Sequence, residues 1–247
     1  MFKKTRKKPI RQTIQAAPEL GFDYQIRFSQ RKTAAIEIKN QTVTVAAPFG
    51  ARTEELHQWV RHKRHWINDK LQQQNQRSEE IPQPQFSDGE LWPFMGSQLT
   101  LKLLYNSRKQ AQINNQTLHL SMSGSPETVT AEQVRKRLSR WYQHQAEEYM
   151  GPMTIRMARQ IGQQVADIRF RRTKTKWGHC TSQGVIQYNW LIMMAPRNVI
   201  DYLIAHEVSH LCHPNHSSDF WQQVAEIAPD YATQRLWLKQ NGHKFIM

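Results

Sequence analysis

From residue 21 the hydrophobic positions recur with a period of two. Tyr24, Ile26 and Phe28 alternate with polar residues, as do Ala34, Ile36 and Ile38, and Val43 and Val45 lead into Ala46-Ala47-Pro48. Alternation puts one face of a strand inward, so this pattern predicts three short half-buried strands, separated by the polar stretches Ser29–Thr33 and Lys39–Thr42. At Thr53-Glu54-Glu55 the period changes. Leu56, Val60, Ile67 and Leu71 recur near helical spacing, with Trp59 and Trp66 on or near that face. One helix is expected there, trailing into the polar residues 72–77 and stopped by Pro82 and Pro84. Two further strands are expected around 98–105 and 117–122, with turns at Gly89 and Gly96. The loop Ser123-Gly124-Ser125-Pro126 is the natural place for a boundary.

The second half reads as mixed helix and strand. A long helix is predicted over about 130–159, with Val134, Leu138, Trp141, Tyr142, Ala146 and Tyr149 on one side. Thr130 and Gln133 have the spacing of a capping box, and Gly151-Pro152 is expected to kink or interrupt the helix. Residues 168–176 alternate and are very basic. Residues 184–193 read as a strand with Val185, Gln187, Asn189 and Leu191 on one face. Pro196 opens the next helix. A helix carrying Phe220, Trp221, Val224 and Ile227 follows, then a last helix ending at Asn241-Gly242. No internal repeat is visible at solenoid periods. The expected organisation is a basic flexible tail over 1–20, a β-rich N-terminal subdomain with one helix over 21–125, and a C-terminal subdomain over 126–247.

Charge adds a possible partner class. The 247 residues carry 34 Lys and Arg against 20 Asp and Glu, a formal net charge of +14. Such a surface attracts nucleic acid or another polyanion, although the same charge also serves solubility and by itself names no partner. Lys3, Lys4, Arg6, Lys7, Lys8 and Arg11 crowd the N-terminus, and such runs stay solvated in the ordinary case. Eight Trp, nine Phe and seven Tyr argue against wholesale disorder. The two cysteines, Cys180 and Cys212, form neither a disulfide framework nor a C-x-x-C pair, which suits a reducing compartment. The N-terminus lacks the apolar core of a secretory signal, and no apolar run approaches bilayer length. A cytoplasmic protein without membrane insertion is expected.

The chemistry concentrates at His206-Glu207-Val208-Ser209-His210, an H-E-x-x-H pattern inside an apolar helical face of Ile200, Leu203, Ile204, Val208 and Leu211. Residues four apart lie one turn apart on one face, so both imidazoles can reach a single metal. A catalytic zinc takes three protein ligands and keeps one position open. Glu207, beside His206, is placed as a general base for a water there. For the third ligand, His213 could stay on the helix face, but Pro214 ends the helix. His216 lies beyond that break, where the chain can turn back, and is favoured, with His213 as the alternative. Cys180 and Cys212 are candidate packed thiols near the site.

The chain resembles the YgjP-like (WLM-related) family of metallopeptidases, a small gluzincin-like zincin group. The resemblance is carried by His206-Glu207-x-x-His210 together with Lys176-Trp177-Gly178-x-Cys180, Asn189, Asp201-Tyr202, Asn215-His216-Ser217, Phe220-Trp221 and Pro229-Asp230-Tyr231. In the N-terminal half it includes Arg31-Lys32-Thr33, Val43-x-Val45-x-Ala47-Pro48 and Lys63-x-x-x-Trp66-Ile67, so it spans roughly residues 22–242. It implies that His216, after five intervening residues, completes the ligand set. One departure is His179, where the family usually has Ser. The resemblance implies an α+β fold with a β-rich N-terminal half packed on a small zincin-like, gluzincin-type C-terminal half of helices and strands. In such a fold the strand after Trp177-Gly178 lies beside the cleft and can pair with an extended peptide.

The expected activity is zinc-dependent hydrolysis of peptide bonds in a protein or peptide substrate, with one zinc per chain held by His206, His210 and His216 and with Glu207 as general base. One alternative is hydrolysis of an anionic small substrate such as a nucleoside triphosphate, with Arg169, Arg171, Arg172, Lys174 and Lys176 as phosphate ligands. No Gly-rich phosphate loop accompanies them. A third is a nucleic-acid-binding module with a structural zinc, for which Glu207 has no use. The sequence does not identify the group that stabilises the oxyanion.

Overall fold

The computed structural model describes residues 10–14, 20–107 and 110–247. Most of the expected basic tail, including Lys3, Lys4, Arg6, Lys7 and Lys8, lies outside them. Within that segment, Ile10–Ile14 forms a strand, β1. The chain divides into two compact units, Met1–Glu80 and Ile81–Met247, and the Ser123–Pro126 loop lies inside the second.

In the first unit, β1 joins β2 (Tyr24–Ser29), β3 (Ala35–Lys39) and β4 (Thr42–Pro48) in a sheet of order β1-β2-β4-β3. β2 and β4 are parallel and the outer pairs antiparallel. The period-two positions Tyr24, Ile26, Val43 and Val45 are buried, packed with Leu56, Val60 and Ile67. The single helix expected after them is two: α1 (Thr53–His62) and α2 (Arg64–Glu79). They meet at Lys63, whose φ of −89° and ψ of 5° leave the helical region. Val60 and Ile67, on either side of the joint, are both fully buried, so the apolar period runs across it without a mark.

The second unit repeats the sheet topology. β5 (Leu91–Phe94), β6 (Ser97–Leu104), β7 (Gln112–Asn114) and β8 (Thr117–Ser121) are ordered β5-β6-β8-β7, again with the central pair parallel and the outer pairs antiparallel. The turn is repeated as well: Asn40-Gln41-Thr42 recurs as Asn115-Gln116-Thr117. In both, the two turn residues have positive φ: 48° and 60° at Asn40 and Gln41, 46° and 60° at Asn115 and Gln116. This is the hairpin turn whose twist matches the strands, and its second position favours glycine. Gln41 gains compensating bonds, its amide to Gln74 Oε1 (3.1 Å) and its Nε2 to the Leu71 carbonyl (3.2 Å). The exposed Gln116 side chain makes none among the described residues. Gln116→Gly should therefore raise unfolding free energy in urea by about 0.5–1 kcal/mol, and Gln41→Gly by less. A loss of stability at position 116 would refute the strain argument.

The long helix is α3 (Ala131–Gln160), opened by the expected box of Thr130 and Gln133. It runs through Pro152 without the interruption that Gly151-Pro152 suggests. Met150, Thr154 and Met157 are buried around the proline, and Thr154 Oγ1 donates to the Met150 carbonyl (2.7 Å). Burial of this kind outweighs the roughly 3 kcal/mol an internal proline costs. Three short strands follow: β9 (Asp167–Arg171), β10 (Gly178–Cys180) and β11 (Val185–Asn189), ordered β10-β11-β9. β9 ends at Arg171, and residues 172–177 are a loop where alternation suggested a longer strand. β11 likewise ends at Asn189, whose side chain accepts from the Leu191 amide (3.2 Å) and caps a 3-10 helix at Trp190–Met194. Its buried residues are Ile186, Tyr188 and Asn189, while Val185 and Gln187 are half-buried.

α4 (Arg197–Ser209), α5 (Ser218–Ile227) and α6 (Tyr231–Asn241) complete the unit. α4 ends at Ser209, earlier than Pro214 suggested. It touches α3, α5, α6 and β10, with Ile200, Leu203, Ile204 and Val208 buried. The described residues thus form a mixed α+β protein with three small sheets and six α-helices. Among them, no helix is long and apolar enough to cross a membrane.

Candidate active site

α4 carries His206 and Glu207 in its last turn, and His210 is its C-terminal capping residue. The chain turns over residues 211–215 and brings His216 back. Ser217 then opens α5 by accepting the Phe220 amide (3.4 Å), which fixes the chain on the far side of His216. Among the described residues, His206, His210 and His216 are the one group of three possible metal-binding side chains whose donor atoms converge, all within 4.8 Å of one another.

Several observations test whether these residues suit a metal ion. Nε2 of His206 and Nε2 of His216 are 3.2 Å apart. Two nitrogens on a tetrahedral zinc, each about 2.0–2.1 Å from it, would be roughly 3.3–3.4 Å apart. His210 turns its Nδ1 to the carbonyl of His213 (2.9 Å), which fixes that nitrogen as the protonated one and leaves Nε2 as a lone-pair donor. His213 meets His210 through its carbonyl, and its ring is not among the three converging groups found in the described residues. Burial, reinforced by His210 and His216, holds His206 down to about 3, and burial also lowers His210. Neutral imidazole is the form a metal takes. Nδ1 of His206 is buried without a hydrogen-bond partner among the described residues. Residues and geometry fit a small cation with affinity for nitrogen.

Aromatic rings hold the three imidazoles. Phe220 contacts all of them, with centroid distances of 5.0, 4.6 and 4.8 Å to His206, His210 and His216. Trp221 stacks on the exposed His216 at 5.6 Å and on Tyr231 at 5.2 Å, under the Arg235 guanidinium. Phe220 and Trp221 are among the residues that carry the family resemblance, but no local pattern gives them this supporting role.

Glu207 is buried and packs against Gly178 of β10. It is 4% exposed, and burial pushes its carboxyl up to about 8, with the Lys176 charge acting in the opposite direction. Gly178 makes this placement possible. A Cβ at position 178 would stand 2.5 Å from both Cγ and Cδ of Glu207, and closer still to Oε1. Helix and strand meet there at a distance only glycine permits. Cys180 is near enough for Glu207 to act on it, and burial first, then Glu207, raises its thiol to about 11. Neither Cys180 nor Cys212 belongs to the histidine group. The basic residues expected as one phosphate-binding set separate: Arg169 pairs with Asp167 (2.7 Å), while Arg172, Lys174 and Lys176 sit on the loop before β10.

The model of the YgjP-like metallopeptidase domain matches residues 32–241. No curated protein matches the chain. Among solved structures, the crystal structure of the metallopeptidase zymogen of Pyrococcus abyssi abylysin is 22% identical, with a TM-score of 0.32, over 36% of this chain and 93% of that one. With a family match over most of its length, the chain belongs to the YgjP-like metallopeptidase family.

Proposed function

We propose that this protein is a zinc-dependent peptidase with a zincin-like arrangement in its second unit. His206, His210 and His216 hold one zinc per chain, and Glu207 is the general base. The observation that carries this reading is the convergence of three imidazoles next to a buried carboxyl seated against the backbone of an edge strand. Zinc in such a site acidifies a water and polarises a carbonyl. Glu207 takes a proton from the attacking water as the new C–O bond forms. It then gives that proton to the amide nitrogen as the C–N bond breaks. Among the described residues β10 pairs with β11 alone, so its other edge can receive an extended peptide and align the scissile bond.

The test is metal removal. Chelation should abolish release of new amine termini from an unfolded protein substrate, and one equivalent of zinc per chain should restore it. Amine release that survives chelation to trace metal would sink the reading. Zinc-dependent release of phosphate from a nucleoside triphosphate, without amine release, would replace it with phosphoanhydride chemistry. A chain that binds zinc tightly and hydrolyses neither substrate, while losing its fold on chelation, would indicate a structural metal.

A further inference from the structure

A cavity of about 740 Å³ opens beside β10. The loop 172–177 forms one wall, and Lys239 of α6 and Phe245 stand on the other. Arg172, Lys174, Lys176 and Lys239 line it, and among the described residues no carboxylate does. Among the described residues none of these four cations takes part in an ion pair. Trp177 meets Phe245 edge to face at 5.9 Å and supplies an apolar surface among the charges.

The loop has a defined shape. Asn189 is buried, its Nδ2 donates to the Thr173 carbonyl (3.0 Å), and its amide donates to the Trp177 carbonyl (2.7 Å). The Thr173 hydroxyl donates to the Lys176 carbonyl. One asparagine thus pins both ends of the cationic loop. Gly242 closes α6 on it: a Cβ there would stand 3.0 Å from the Trp177 ring, although the backbone of Gly242 is helical and would accept any residue. The same loop reaches the candidate active site. Lys176 lies within electrostatic reach of Glu207, and Gly178, two residues on, packs against it.

We propose that this cavity is an acidic-residue subsite: it receives Asp or Glu side chains on the C-terminal side of the scissile peptide bond. The proposal rests on the peptidase reading. Its direction follows from strand sense. β10 runs away from the cationic loop, and antiparallel pairing is the more stable sense. A peptide bound in that sense on the open edge of β10 runs towards the loop with its C-terminal part. Each partly exposed ion pair contributes only a few-fold in affinity, so three or four together give on the order of tenfold.

The test measures binding without turnover, using zinc-loaded Glu207→Gln protein and fluorescence anisotropy. Three labelled peptides share a central sequence and carry four Asp after it, four Asp before it, or four Asn after it. The first should bind about tenfold more tightly than the third, with the advantage shrinking as salt rises. It should vanish in Lys174→Gln/Lys176→Gln/Lys239→Gln, whose exposed side chains can be changed without disturbing the core. Asn189→Leu, which frees both ends of the loop, should weaken the same preference. Equal affinity for all three peptides, preference for Asp before the central sequence, or an advantage that survives the triple variant would overturn the proposal. So would a nucleoside triphosphate that binds through these lysines when the acidic peptide does not. Cleavage by the wild type is scored separately: a binding preference without cleavage upholds the subsite and removes the peptidase reading, and cleavage without preference does the reverse.

Discussion

Glu207→Gln should lower turnover of an unfolded protein substrate about 10³-fold, within the range a general base contributes, while the chain keeps one zinc. The amide has nearly the shape of the carboxylate, and the three imidazoles are untouched, so metal content separates loss of the base from loss of the site. Stability separates both from unfolding. In the metal-free chain the Glu207 carboxyl is pushed from its ordinary 4.5 up to about 8 by burial. Between these values the unfolded chain has released a proton that the folded chain still holds. The contribution of this group to stability therefore falls as pH rises from about 4.5 to 8 and stays reduced above. Gln carries no such proton. The metal-free variant should melt higher than the metal-free parent at pH 8 and close to it at pH 4.5. Full activity with Gln at 207 would remove the carboxylate from the mechanism. Inactivity with zinc lost would assign Glu207 a part in holding the site together.

Much of this site is legible in the sequence because its geometry is local. The spacing of His206 and His210 is the pitch of a helix, and the apolar residues around them show that the helix is buried. The return of His216 follows from a helix end near Pro214, although α4 stops sooner, at Ser209. What stays hidden is non-local. Gly178 stands in the sequence only as part of Trp177-Gly178 ahead of a strand, and only the packing of β10 on α4 shows that it makes room for Glu207. Gly242 reads as a helix-ending glycine and does end α6, yet its φ is −59°, and what demands glycine there is the Trp177 ring.

The fold shows the same division. Strands β2, β4, β6 and β8 announce themselves by alternation because each buries one face. β7 is exposed throughout and carries no such signal. The apolar run Trp190–Met194 is buried on every side, so its sequence suits a strand as well as the 3-10 helix it forms. The duplicated sheet escapes a search for short repeats because little more than Asn-Gln-Thr survives in sequence. The hairpins match through backbone conformation, while the buried side chains differ.

Gly178→Ala should prove nearly as damaging as loss of the base, although it adds one methyl group to a residue with no chemistry of its own. The new Cβ would overlap Cγ and Cδ of Glu207, near the root of the side chain, where a small swing of the carboxyl end gives no relief. Either the carboxyl leaves its seat or β10 moves off α4. The first costs the base its position, and the second shifts the strand edge that aligns the peptide. Activity should fall about 10²–10³-fold, within the range a general base contributes. Overpacking of this kind costs roughly 1–3 kcal/mol of stability. The decisive measurement is a double-mutant cycle by urea unfolding of the metal-free proteins. In a Glu207→Ala background the atoms that clash are gone, so Gly178→Ala should cost little there, and the two substitutions should be strongly non-additive. Additive costs would mean that residue 178 and residue 207 do not meet. A small cost in both backgrounds would show that β10 can yield, and the close seat of Glu207 against Gly178 would then have no hold on the carboxyl's position.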